Sequence, residues 1–210
     1  MSRRAAAPLR ERRSQAERTA ETRARIIDAV VESIADVGFP RTTAAEIASR
    51  AGVTWGAVQH HFGGKDGILD AVLEHSFNRF AALVDPADVA DAALELRVSH
   101  FVDHAWEHFQ SPTYRSTFQI LLHYAGDAAA DEEADWQSHM RASFGRVWSD
   151  FFGGEPRRNG RFALQHYTIS VLTGLAAMQQ LGGSAARTPQ VELDWLKRTL
   201  VRELSGSGAS

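Results

Sequence analysis

The residues with the clearest capacity for chemistry are three histidines, His100, His104 and His108, which recur at every fourth position. This spacing places their imidazoles on one side of a helix, where they could bind a zinc ion. On a helical wheel, however, the apolar residues within 98–109 form the buried stripe, and His100 and His104 point away from it. We therefore interpret the histidine row as a solvated helix face, and we expect neither a metal nor another cofactor.

Other catalytic patterns are missing from the sequence. The chain has no cysteine, which excludes disulfides, thiolate catalysis and thiol redox chemistry. It also has no phosphate-binding glycine loop, no nucleophile elbow and no HExxH zinc motif. We therefore predict no catalytic residues.

A different kind of polar surface lies between Val53 and Lys65, a stretch without Asp or Glu although 26 of the 210 residues are acidic. It contains aromatic, amide, imidazole and ammonium groups, which are the groups that contact nucleic acids. Residues 1–65 carry eleven Lys/Arg against seven Asp/Glu, whereas residues 66–210 carry twelve against nineteen. Because counter-ion release depends on local positive charge, this end of the chain is the nucleic-acid end despite a net charge of −3.

The segment from 42 to 65, TTAAEIASRAGVTWGAVQHHFGGK, predicts the helices that position these groups. Thr43 and Glu46 have the spacing of a capping box, so a helix is expected to start at Ala44. Gly52 suits a sharp turn that needs a positive φ, and Thr54 can cap the second helix. A small residue at 48, the glycine at 52 and an aliphatic residue at 58 have helix-turn-helix spacing. The alternative is a helical hairpin with no role in DNA binding.

Residues 22–73 resemble the DNA-binding domain of the tetracycline-repressor (TetR) family. The resemblance rests on GFPRTTAAEIASRAGVT and on the pattern of Gly56, Val58, His61, Phe62 and Lys65, and it covers about a quarter of the chain. It implies that Thr43 binds a phosphate, that the second helix reads DNA, and that Phe62 belongs to the core. The predicted DNA-binding residues are Thr43, Ala45, Thr54, Trp55, Gly56, Ala57, Gln59, His60, His61 and Lys65.

Gln59 departs from the family pattern, which usually has tyrosine at this position. A tyrosine there typically contacts the sugar-phosphate backbone, whereas a glutamine can pair with adenine through two hydrogen bonds. We therefore predict that Gln59 reads a base, with a solvated surface glutamine as the alternative. We expect Trp55 to be too close to the start of its helix to be buried.

Helical apolar spacing continues from Thr22 to the end of the chain, without strand patterns, and predicts an all-α fold of about nine helices. We predict a disordered basic arm at 1–21, a three-helix helix-turn-helix domain at 22–73, a larger ligand-binding and dimerisation domain at 74–204, and a flexible tail at 205–210. Arginines at the front of the chain could enter an adjacent minor groove, or the arm could be a solubilising tail. The arginines considered are Arg10, Arg12, Arg13, Arg18, Arg23 and Arg25.

A single helix-turn-helix reads few base pairs, so such proteins usually bind palindromes as two-fold dimers. We predict a homodimer formed through residues 158–204, where two amphipathic helices mix small and aliphatic residues; the alternative is that these faces close the core of one protomer. The first helix carries Ile169, Leu172, Thr173, Gly174, Ala176 and Ala177. The second carries Val191, Trp195, Leu196, Leu200 and Leu204.

Residues 101–152 hold eleven of the nineteen aromatic residues, a density that predicts either an ordinary core or a pocket for a flat apolar ligand. The candidate ligand-binding residues are Trp106, Phe109, Phe118, His123, Trp136, Met140, Phe144 and Tyr167. We expect a cytoplasmic repressor that releases a DNA operator when an apolar or aromatic effector binds, without membrane contact. The alternatives are an activator of the same fold, a helical enzyme that uses the aromatic region, and a helical adaptor.

Overall fold

The computed structural model describes residues 14–127, 135–153, 160–182 and 187–206. Throughout these ranges the regular structure is helical, which confirms the predicted all-α class, and no helix in them is both long and apolar enough to cross a membrane. Two short 3₁₀ helices, Phe39–Arg41 and Pro86–Val89, lie between longer ones. The α-helices are α1 (Gln15–Val37), α2 (Ala44–Ala51), α3 (Trp55–Phe62), α4 (Lys65–Leu83), α5 (Leu94–Phe109), α6 (Pro112–Asp127), α7 (Asp135–Phe152), α8 (Gly160–Gly182) and α9 (Gln190–Gly206).

The first helix starts earlier than the apolar spacing predicts. Ser14 caps α1: its hydroxyl accepts from the backbone N–H of Glu17 at 3.2 Å, and its own N–H donates to the Glu17 carboxylate at 2.6 Å. This reciprocal pair satisfies two donors at the helix start, so residues 15–21 are helical and the predicted disordered arm is wrong for them. Residues 1–13 lie outside the described part of the chain. At the other end, α9 runs through Gly206, past the predicted start of the tail at 205.

Helices α1 to α4 enclose a core of aliphatic side chains. Ile26, Ile34, Ile47, Val58 and Ile68 are each at most 1% exposed and pack in one cluster. They come from four helices within about forty residues of sequence, so short connections bring the apolar stripes together. This cluster supports the helix-turn-helix.

A second core, here called the aromatic core, lies among α4, α5, α6, α7, α8 and α9. Eight of its eighteen buried residues are aromatic, against one of sixteen in the first core. Phe101 contacts the rings of Trp148, Phe151 and Phe152 at centroid distances of 5.2–5.7 Å. Lys197 on α9 binds Asp103 on α5 at 2.6 and 2.8 Å and links two of these helices. Helix α4 belongs to both cores, so the predicted boundary between residues 73 and 74 falls inside a continuous helix.

Helix α6 joins the two cores a second time. Ile120 is fully buried in the aliphatic cluster, although it lies 47 residues beyond Leu73, the last of the other buried members. Next to it, the Gln119 side-chain oxygen accepts from the backbone N–H of Phe39 at 3.0 Å, and the Ser116 hydroxyl donates to the carbonyl of Val31 at 3.0 Å. The N-terminal helices are thus held by α6 as well as by their own contacts.

Candidate functional site

The turn between α2 and α3 has the geometry that its sequence predicts. Gly52 ends α2 with φ 64° and ψ 35°, in the left-handed region that glycine adopts without a steric penalty. Ala48 and Val58 are buried on either side of the turn, at 8% and 0% exposure. Thr54 then caps α3, because its hydroxyl accepts from the N–H of Ala57 at 3.2 Å. The helix-turn-helix prediction is confirmed.

The predicted capping box of α2 is only half formed. The Thr43 hydroxyl accepts from the N–H of Glu46 at 3.3 Å, as expected. The Glu46 carboxylate, however, binds the Nε of Arg50 at 2.6 Å, and Arg50 also binds Asp36 on α1 at 2.6 Å. The ion pair between Arg50 and Asp36 links α2 to α1. Since the Thr43 hydroxyl accepts in the cap, its own proton can still be donated to a phosphate oxygen.

The ten predicted DNA-binding residues lie at the two helix starts, along α3 and at the first position of α4. Seven are exposed and three are half-buried, and the row 53–65 remains free of acidic side chains. Trp55 packs partly against the aliphatic core, which is more contact than its position predicted. The exposed residues are Thr43, Ala45, Thr54, Gly56, Gln59, His60 and Lys65, and the half-buried ones are Trp55, Ala57 and His61. Their contact with DNA remains a prediction.

Arg23 has a structural contact that the sequence did not predict. Its guanidinium donates to the backbone carbonyl of His61 and lies 4.3 Å from the centroid of the Phe62 ring. The side chain therefore holds the C-terminal turn of α3 against α1, where it gains cation–π energy. The prediction that Arg23 belongs to an arm that reaches DNA is corrected accordingly.

A close backbone approach fixes the position of α4 relative to α3. A Cβ atom on Gly67 would lie 1.9 Å from the carbonyl oxygen of Phe62, a separation that no side chain can occupy. Glycine is therefore required here for contact rather than for a positive φ. Sequence analysis missed this residue, because an isolated glycine early in a helix resembles an ordinary helical position.

The larger domain contains a cavity of about 560 Å³ between α4, α5, α6, α7 and α8, within the size range of small-molecule sites. Most of its wall is apolar and aromatic. Four predicted ligand residues line it, namely Phe109, Phe118, Met140 and Phe144. Further lining residues, which sequence analysis did not single out for this site, include Ser76, Phe77, Phe80, His108, Tyr114, Thr117, Arg141, His166 and Thr173.

Three predicted ligand residues lie elsewhere. Trp106 is 5% exposed within the aromatic core and fills space between helices. His123 is exposed and contacts the ring of Phe39 at 4.7 Å, beside the helix-turn-helix domain. Tyr167 is 45% exposed on the outer side of α8. The prediction was wrong for these three because aromatic density does not reveal which face each ring occupies; the side chain of Trp136 lies outside the described residues.

His108 corrects the interpretation of the histidine row. It is 3% exposed and lines the cavity, whereas His100 and His104 are half-buried with rings 4.1 Å apart. Burial, with a smaller contribution from Arg79, lowers the pKa of His108 to about 4. Val98, Val102 and Ala105 recur at steps of four and three residues, and a further step of three leads to His108. The sequence spacing therefore indicates that His108 lies on the buried stripe. In the described part of the chain, no group of three potential ligands is arranged to hold a metal ion.

Helices α8 and α9 present an apolar outer surface, here called the α8–α9 face, formed by Tyr167, Gly174, Met178, Leu181, Val191 and Trp195. Five of these are large side chains between 45% and 82% exposed. Tyr167, Gly174 and Trp195 line a shallow groove on it. By contrast, four residues predicted for the interface are at most 2% exposed in the protomer core, which corrects their assignment: Leu172, Ala176, Leu196 and Leu200.

A helix-turn-helix joined to a larger helical domain with a cavity defines the structural class of this chain, a two-domain helix-turn-helix protein. Residues 26–72 match the family described as "Bacterial regulatory proteins, tetR family". This match covers less than a quarter of the chain, so the chain is similar to the TetR family over its N-terminal domain.

Relatives with assigned names match part of the chain. The chain is similar to the HTH-type transcriptional regulator BetI of Burkholderia lata, with 42% identity over 73 residues, 30% of this chain and 38% of that protein. It is similar to BetI of Burkholderia cenocepacia, with 49% identity over 53 residues, 25% and 27% of the two chains. The match thus spans well under half of either relative.

Solved structures share the fold over most of the chain. A TetR family transcription regulator from Marinobacter aquaeolei superimposes with a TM-score of 0.66 and 13% identity, over 90% of this chain and 98% of that one. LfrR from Mycobacterium smegmatis, solved in complex with proflavine, superimposes with a TM-score of 0.62 and 16% identity, over 88% and 96%. The larger domain therefore has a TetR-type fold at low sequence similarity.

Proposed function

We propose that this chain is a cytoplasmic transcriptional regulator that binds a palindromic DNA operator as a homodimer and releases it when a small molecule occupies the cavity. The observation that carries the proposal is the acid-free exposed surface of α3, presented by a helix-turn-helix whose turn, caps and core are all formed. Repression is the simplest mode, because a dimer on an operator blocks polymerase without a further contact surface.

The DNA contacts follow from the positions of the side chains. Thr43 and Thr54 lie at the starts of α2 and α3, where backbone N–H groups favour phosphate. Lys65 adds a positive charge at the end of the surface, while Gln59 and His60 occupy its exposed centre. Phosphate contacts set the register, and the amide of Gln59 supplies base recognition by pairing with adenine.

Selection of duplexes from a random pool by the full chain tests this assignment. We expect a palindrome whose half-sites are about one DNA turn (~34 Å) apart. The Gln59→Ala variant should lose its preference at a single position in each half-site, by roughly 1–3 kcal/mol of discrimination. Gln110→Ala, an exposed glutamine at the end of α5, is the matched control. Enrichment of no sequence by the parent protein would refute the proposed function.

The proposed dimer uses the α8–α9 face, within residues 158–204. Exposed apolar side chains of this size on one surface are typical of a subunit contact, and the absence of a side chain at Gly174 permits close approach. Trp195→Asp should convert the dimer to a monomer, measured by sedimentation, and weaken operator binding at least tenfold. Leu96→Asp is the control, since Leu96 is 57% exposed but lies on α5. A Trp195→Asp protein that stayed dimeric would exclude this face.

Effector control is supported by the position of α6 between the two cores. One side of α6 lines the cavity through Tyr114, Thr117 and Phe118, and the other side holds α1 and Phe39 through Ser116 and Gln119. A ligand that prefers a shifted α6 would favour a dimer whose recognition helices no longer match one DNA turn. The effector is expected to be apolar or aromatic because the cavity wall is.

A further inference from the structure

Eight polar side chains line the cavity, and four of them are buried, namely Ser76, His108, Tyr114 and Thr117. The walls are formed largely by phenylalanine rings, with Phe80 and Phe144 at 4.9 Å and Phe77 and Phe144 at 5.5 Å between centroids. Such walls bind flat apolar surfaces well, because aromatic rings prefer edge-to-face or offset contact at these distances. Specificity must then come from the few polar atoms that the walls leave.

Most of those polar atoms already have partners. The Tyr114 hydroxyl lies 2.9 Å from the Thr173 hydroxyl, and the Thr117 hydroxyl donates to the carbonyl of Thr113 at 3.0 Å. Ser76 Oγ lies 3.4 Å from Nε2 of His108. The other ring nitrogen of His108, Nδ1, is buried and has no hydrogen-bond partner among the described residues. Among the described residues that line the cavity, His108 is the one with such a buried atom without a partner.

The charges around the cavity disfavour ions. Its described lining contains no Asp or Glu, so a cationic ligand would be desolvated without a counter-charge. Arg79 acts on His108 and would also repel a cation there. An anion would be attracted by the same charge, but Arg79 is exposed, so solvent screens this attraction. An anion would also lack a charged hydrogen-bond donor at the buried end, because His108 is neutral at pH 7 and Arg141 is exposed and already engaged.

We infer that the cavity binds an uncharged, planar aromatic molecule that carries a carbonyl or N–H group, and that His108 forms the hydrogen bond to this group. The inference rests on the proposed function, in which the cavity is the effector site. Because neutral imidazole has one donor and one acceptor nitrogen, the tautomer can adapt to either kind of ligand group. The six phenylalanine rings of the lining supply the flat contact surface.

Four matched tricyclic probes test the ligand class by fluorescence titration of the full chain. They are acridone, which is neutral and carries both groups; 9-aminoacridine, a cation; anthracene-9-carboxylate, an anion; and anthracene, which has no hydrogen-bonding group. Acridone should bind at least tenfold more tightly than either ion. Equal or tighter binding of either ion, or no binding of acridone to the folded protein, would overturn the inference.

Substitution of His108 tests the anchoring bond. His108→Phe should weaken acridone binding about 5- to 10-fold and leave anthracene binding unchanged, because only acridone uses the nitrogen. His108→Gln, which retains hydrogen-bonding groups, should restore most of the loss. His104→Phe, one turn earlier on α5 and outside the cavity lining, is the control. Equal weakening of acridone and anthracene by both His108 variants would mean that His108 only shapes the wall, and would overturn the anchoring role.

Operator binding measured in parallel separates this inference from the proposed function. If acridone binds as expected but leaves the selected duplex bound, the ligand class stands and effector control of DNA binding fails. If the chain binds the duplex while an ion binds as tightly as acridone, the regulator stands and the inferred ligand class fails. Neither result depends on the other.

Discussion

The core that carries the helix-turn-helix and the core that surrounds the cavity are built from different side chains. The first consists mainly of aliphatic residues, and the buried hydroxyls beside it, those of Ser33 and Thr42, bond to each other at 3.1 Å. The second combines aromatic rings with aliphatic side chains and borders a cavity that the buried His108 helps to line. The comparison indicates that the first core fixes a geometry, whereas the second gives up packing and solvation energy to keep a binding space.

The largest effect is expected in a test of whether the N-terminal aliphatic core is stable without its contacts to α6. Ile120→Ala removes a fully buried side chain of α6 from the aliphatic cluster and should cost roughly 2–5 kcal/mol. Hydrogen exchange should then rise in residues 26–58 as well as in α6. Leu122→Ala, 57% exposed on the same helix, is the control. Unchanged protection of residues 26–58 would show that the N-terminal core does not depend on α6.

The next test concerns backbone approach in the first core. Gly67→Ala places a methyl group against the carbonyl oxygen of Phe62 and must displace α3 from α4, at a cost of roughly 1–3 kcal/mol. We expect a lower Tm and weaker binding to the selected duplex, because α3 carries the reading surface. In Gly145→Ala the added methyl group meets open space within α7, so this variant should be neutral or slightly stabilising. Equal Tm values for the two variants would contradict the close-contact assignment.

The smallest effect is expected in the second core, where burial lowers the pKa of His108 from 6.5 to about 4. Below pH 6.5 His108 binds a proton in the unfolded chain, whereas in the folded chain it stays neutral down to about pH 4. The free energy of unfolding therefore falls as the pH decreases from 6.5 to 4. Between pH 7 and pH 5 this group should cost on the order of 2 kcal/mol of unfolding free energy.

His108→Phe provides the measurement, because it removes this titration while it fills a similar volume. Denaturant unfolding of the variant at the two pH values should show a smaller loss of stability than the parent, by the amount above. His104→Phe corrects for the general effect of losing a histidine on α5. A variant with the same pH dependence as the parent would mean that His108 is not kept neutral by the fold.

The same contrast explains what could be predicted from the sequence. Caps, turns and apolar spacing act over three to ten residues, so Thr43, Gly52, Thr54 and Val58 could each be assigned from their neighbours. The bonds of Arg23 to His61 and of Gln119 to Phe39 join residues 38 and 80 positions apart, and no local pattern marks them. Gly67 escaped notice for the same reason, since the carbonyl that it contacts belongs to another helix.

The cavity was harder to predict because core and pocket use the same residue types. Phe109 and Phe118 were expected at the site and line it, whereas Trp106 fills the core next to it. Trp106 and Phe109 point in directions about 60° apart around the axis of α5. The density of aromatic residues does not specify such a difference. His108 was missed because the histidine row was treated as a single unit, although its members fall on different sides of α5.

The burial of Ile120 among the N-terminal helices has a consequence for the design of hybrids that combine this helix-turn-helix domain with the ligand-binding domain of another protein. A hybrid that joins residues 1–73 of this chain to the larger domain of another protein would contain a foreign α6. Side chains that do not match would then contact the space that Ile120 fills, the carbonyl of Val31 and the N–H of Phe39. Transplanting Ser116, Gln119 and Ile120 together with the first 73 residues would preserve the contacts between α6 and the N-terminal helices. Exchange of sensing modules in this chain therefore calls for a discontinuous graft rather than a single crossover.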